Sequence, residues 1–111
     1  MITLFHYTNQ FGYEGILQSK QLNPSTMNRN PNDVRYGDGQ YLSDIKPHTK
    51  TPAQLSRLFL GQPFQGKKYT HYIEIDVTNL SIVQGRLHIF VVPNDNPLDI
   101  SGRIISHGEV V

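Results

Sequence analysis

Apolar and polar positions fall into short runs with two periods along this chain. Ile2 to Thr8 is crowded with β-branched and aromatic residues and predicts a first strand. From Gln10 to Lys20, Tyr13, Ile16 and Leu17 recur at helical spacing, with Asn9 placed to cap the helix and Lys20 suited to its C-terminal dipole. Gly12 and Gly15 weaken that helix. Asn23 to Asp38 is rich in turn formers and is long for a small domain, and loops of that kind tend to carry function. Gln40 to Ser43 predicts a short strand. Thr51 and Gln54 have capping-box spacing around Pro52, predicting a helix that runs through Leu55, Leu58 and Phe59 and stops at Gly61. Tyr69 to Val77 then alternates with period two, which leaves Glu74 and Asp76 on a solvated face. Leu87 to Val92 is nearly all apolar, as in a strand buried on both faces. After a turn at Asn94 to Pro97, Ile100 to Ile105 predicts a last strand, with Glu109 to Val111 as an extension.

Two short helices among several strands imply an α+β domain. At 111 residues the chain is expected to form one domain, residues 1–111. Ten basic and nine acidic side chains leave a net charge of +1, which argues against binding nucleic acid or membranes through bulk charge. There is no cysteine, so disulfides and thiolate chemistry are excluded. No apolar run approaches transmembrane length, and no signal peptide is expected at Met1. The abrupt start at a strand looks like a fragment cut from a longer protein, and if the domain is exported, something else carries it.

Several chemistries are poorly served. The histidines (His6, His48, His71, His88 and His107) form no close ligand pair, so no metal site is expected. Ser101 lacks a nucleophile elbow, and no phosphate-binding glycine loop of the nucleotide-triphosphatase kind is present. Two segments stand out instead. His6-Tyr7-Thr8 puts a histidine and a hydroxyl on one strand face. Gly37-Asp38-Gly39-Gln40-Tyr41-Leu42-Ser43-Asp44 follows two glycines, which permit close backbone approach, with an aromatic on a strand. Taken singly, a hydrogen-bonded histidine and a tight turn account for them.

Together they resemble the core of the poly-ADP-ribose polymerases. There a first strand carries His-Gly-Ser and a second carries Gly-Lys-Gly-x-Tyr-Phe-Ala-Asp. The remainder is closer to the His-Tyr-Asp signature ADP-ribosyltransferase toxins found at the C-termini of bacterial polymorphic toxins. The matching runs are Leu-Asn-Pro-Ser at 22–25, Arg-Tyr-Gly-Asp-Gly-Gln-Tyr-Leu-Ser-Asp at 35–44, Pro-Ala-Gln-Leu-Ser at 52–56 and Tyr-Ile-Glu-Ile-Asp-Val-Thr at 72–78. Phe-Val-Val-Pro-Asn at 90–94 and Pro-Leu-Asp-Ile-Ser at 97–101 complete them.

The resemblance implies a compact, mostly antiparallel split sheet and NAD as substrate. It implies that His6 bonds the adenine-side ribose, that the Tyr7 backbone and Thr8 hydroxyl hold the nicotinamide amide, and that Tyr41 stacks on the nicotinamide ring. Tyr36 and Gly39 join the NAD-binding set. It also implies a carboxylate that stabilises the oxocarbenium-like transition state. Asp99, in an apolar context before a late strand, is the first choice, and Asp76 the next, ahead of Glu74 and Glu109. Tyr7 replaces the polymerases' glycine, and Asp38 their lysine. A macromolecular acceptor (protein or RNA), a cognate immunity protein, and action in a target cell's cytoplasm follow from the same resemblance. An NAD glycohydrolase or a non-catalytic NAD-binding module would need the same pocket. The related RNA 2′-phosphotransferases use an arginine pattern not found here.

Overall fold

The computed structural model describes residues 1–25, 37–60 and 68–111. Strand β1 (Thr3–Thr8) runs directly into helix α1 (Gln10–Ser19). The Asn9 side chain accepts the Gly12 N–H at 2.8 Å and so caps the helix as its sequence predicts. At the other end Lys20 takes a left-handed conformation, with its N–H on the Ile16 carbonyl. Strand β2 (Gln21–Leu22) follows, then β3 (Gly39–Leu42) and helix α2 (Pro52–Leu60). At the start of α2 the Thr51 N–H bonds the Gln54 side chain at 2.8 Å and the Gln54 N–H bonds the Thr51 hydroxyl at 3.2 Å, the reciprocal box its spacing predicts. The remainder is β4 (His71–Asp76), β5 (Val83–Arg86), β6 (Ile89–Pro93), β7 (Leu98–Asp99) and β8 (Ile104–Glu109).

Every strand pairing among the described residues is antiparallel. One sheet has the order β1-β4-β8, a second β3-β6-β5, and β2 pairs with β7. The first two sheets meet where Phe5 and Ser43 exchange backbone hydrogen bonds, each 2.8 Å. Register fixes the faces. Leu4, His6 and Thr8 lie opposite Ile75, Ile73 and His71, whereas Phe5 and Tyr7 lie opposite Glu74 and Tyr72.

Each face has its own core. Leu4, Leu22, Leu42, Ile73, Ile75, Val92 and Ile100 pack beneath the Tyr13–Ile16–Leu17 stripe of α1. Phe5, Tyr7, Tyr72, Leu55 and Val110 pack with Leu58 and Phe59 of α2. The α+β class with two helices is as expected. The face holding Glu74 is not solvated as expected, because α2 covers part of it. Glu74 is half-buried and accepts hydrogen bonds from the hydroxyls of Thr3 and Ser106, each 2.8 Å.

The last strand departs from its expected span. Residues 101–103 form a turn, with Gly102 at φ 76°, and β8 begins only at Ile104. Ile100 is apolar because it is fully buried in the core, not because it extends a strand. Glu109, expected near a fraying end, closes β8 and is paired with His71. The strand expected from Leu87 starts at Ile89, since Leu87 and His88 make the β5–β6 turn and Leu87 is exposed.

Candidate active site

A cleft of about 630 Å³ opens where β1 passes between α1 and β3. His6, Tyr7, Thr8 and Tyr41 all line it, so the two sequence motifs converge in space. The link between them is direct. The His6 Nδ1–H donates to the Tyr41 backbone carbonyl at 3.0 Å. This fixes the tautomer and leaves Nε2 as an acceptor, with no partner among the described residues. Burial holds the His6 pKa below its ordinary value, and the Tyr41 carbonyl opposes that shift. The imidazole is therefore neutral at physiological pH.

Tyr41 is half-buried, and its hydroxyl donates to the Gly37 carbonyl at 2.7 Å, which pins the ring over the turn that precedes it. That turn depends on glycine. Gly39 has φ 156°, and a Cβ there would lie 2.2 Å from the Val92 carbonyl oxygen. Gly39 itself does not line the cleft. It sets the entry of β3 through paired backbone hydrogen bonds with Ser25, 2.9 and 3.0 Å long. Tyr36 lies outside the described residues.

Tyr7, at the position where the polymerases have glycine, anchors its side chain in the α2 face. Its ring lies 5.8 Å from that of Phe59, and its hydroxyl donates to the Ile45 carbonyl. Burial, with the neighbouring Tyr72, pushes that hydroxyl's pKa well up. The glycines that weaken α1 also find a reason. A Cβ on Gly12 would lie 2.2 Å from the Thr8 hydroxyl, so glycine lets the helix approach that group. Gly15 also lines the cleft.

The carboxylates lie elsewhere. Asp99 is exposed and does not line the described wall, but it is paired with Gln21, which does. One carboxylate oxygen accepts the Ser101 N–H at 2.9 Å. That hydrogen bond, the Ser101 hydroxyl and Arg103 hold its pKa below the usual range. Asp76 is paired with Thr3, at the opposite end of β1 from Thr8. The Thr78 hydroxyl and N–H bond its carboxylate and lower its pKa, the N–H at 3.0 Å. Among the described residues no carboxylate lines the cleft, and no group of three or more potential metal ligands is present. No helix among them is long and apolar enough to cross a membrane.

A family model described as "HYD1 signature containing ADP-ribosyltransferase" matches residues 4–104. The chain belongs to this family of ADP-ribosyltransferase toxin domains. The match takes in His6, Tyr41, Asp76 and Asp99 and ends before Glu109. Searches of curated proteins and of solved structures returned no match. Of the cleft residues that the sequence did not single out, Lys68 is the charged one among those described. Its signal was a basic residue directly before an aromatic, two positions ahead of β4.

Proposed function

We propose that this domain transfers ADP-ribose from NAD to a macromolecular acceptor, protein or RNA, and releases nicotinamide. The observation that carries this reading is the hydrogen bond from His6 to the Tyr41 carbonyl inside the cleft of a chain from this family. Neutral His6 presents Nε2 as an acceptor for a hydroxyl of the adenine-side ribose. The Tyr7 backbone and the Thr8 hydroxyl take the nicotinamide amide, and the pinned Tyr41 ring stacks on the nicotinamide. Holding both ends of NAD in this way exposes the ribosyl bond that breaks. Asp99, paired with the cleft residue Gln21, supplies the negative charge that stabilises the oxocarbenium-like transition state. The domain acts as the effector part of a secreted bacterial toxin, in the target cell's cytoplasm, and a cognate immunity protein restrains it.

The test is nicotinamide release from NAD, first with the protein alone and then with cell lysate. Release that needs lysate supports transfer. Equal release without lysate means hydrolysis, and none in either case means a binding module.

A further inference from the structure

The described wall of the cleft carries one fixed positive charge, Lys68, and no carboxylate. His6 contributes no charge, because burial keeps it neutral. Lys68 lies beside the end of β1, where the Thr70 N–H donates to the Thr8 carbonyl at 3.0 Å. Its Nζ is 6.0 Å from the centre of the Tyr69 ring. Tyr69 in turn meets Phe59 edge-on at 5.2 Å, and Phe59 lies against Tyr7. All three rings line the cleft, so the lysine stands at the edge of an aromatic wall. Such a wall excludes water and strengthens any charge contact made against it.

The geometry points to Lys68 as the residue that binds the diphosphate of the dinucleotide, an assignment that rests on the NAD reading above. The diphosphate is the strongly anionic part of that substrate, and nothing acidic on the described wall repels it. An ammonium on a flexible stem meets phosphate as a point charge and needs no preset bidentate geometry. The aromatic wall beside it suits the apolar part of the lysine stem.

The experiment is calorimetric titration of wild type and of Lys68→Met with NAD, ADP-ribose and nicotinamide. Methionine keeps an unbranched stem beside Tyr69 and removes the ammonium group. We expect NAD and ADP-ribose to bind about tenfold more weakly in Lys68→Met, the loss of one charged hydrogen bond. Nicotinamide should bind unchanged, Lys68→Arg should restore affinity for the other two, and the wild-type advantage should shrink as salt is raised. Wild-type affinity for ADP-ribose in Lys68→Met would overturn the assignment while leaving the NAD reading intact. Equal weakening of nicotinamide would overturn it too, because the substitution would then have disturbed the whole pocket. A wild-type protein that binds neither NAD nor ADP-ribose would overturn the NAD reading itself, and this inference with it.

Discussion

His6 joins the two motifs, and its protonation is coupled to folding. Its pKa in the unfolded chain is the ordinary 6.5, and burial lowers it in the fold. Between those two values the unfolded chain binds more protons than the folded one. The contribution of His6 to stability is therefore full above about 6.5 and is lost as the pH falls toward the lowered value. The melting temperature of wild type should fall over that window, and His6→Ala should flatten the fall. His6→Ala should also weaken NAD binding more than it lowers the melting temperature at pH above the window. An unflattened pH profile would show that the pKa of the imidazole is not lowered in the fold.

Asn at position 99 can still accept the Ser101 N–H, so Asp99→Asn removes the charge and keeps the turn. It should preserve fold and NAD affinity and cut turnover about a hundredfold, the scale of one preorganised polar group, about 3 kcal/mol. Asp76→Asn is the paired control, since Asp76 lies at the far end of β1. Loss of turnover in Asp76→Asn with wild-type rates in Asp99→Asn would reverse the assignment.

At the scale of elements, β3 is set by its first residue. Gly39→Ala must push a Cβ against the Val92 carbonyl, backbone that cannot move without disturbing β6. We expect a destabilisation of about 2 kcal/mol or more, read as a lowered denaturation midpoint. A neutral Gly39→Ala would mean that β3 does not enter the sheet in this conformation. The helices were legible because their signals are local: Asn9, and the Thr51–Gln54 pair, cap within one turn of the residues they serve. The strands β2 and β7 were not, because two residues each carry no period and exist only by pairing across the fold. Ile100 misled for the opposite reason, its apolar character being owed to burial next to a turn. In the site, His6 and Tyr41 were legible as motif residues. Lys68 was not, because its place at the cleft depends on the tertiary contact between Thr70 and Thr8.

At the scale of the molecule, one sheet lies between two helices, each covering its own core. The cleft forms where that sheet meets the second one through Phe5 and Ser43. The arrangement brings residues 6–8 and 41 together although more than thirty positions separate them, and it leaves one wall to α1, whose glycines keep it low. We propose that this cleft holds NAD for transfer of its ADP-ribose. The most direct measurement uses NAD radiolabelled in the adenine half, incubated in cell lysate with wild type or with Tyr41→Ala. The Tyr41 ring is half-buried, so its removal should leave the domain folded. Loss of stacking worth about 1 kcal/mol, multiplied by misplacement of the reacting bond, should then lower transfer by well over tenfold. Label should enter macromolecules with wild type, and almost none should with a folded Tyr41→Ala. Equal labelling by both proteins, or no labelling by either, would contradict this proposal.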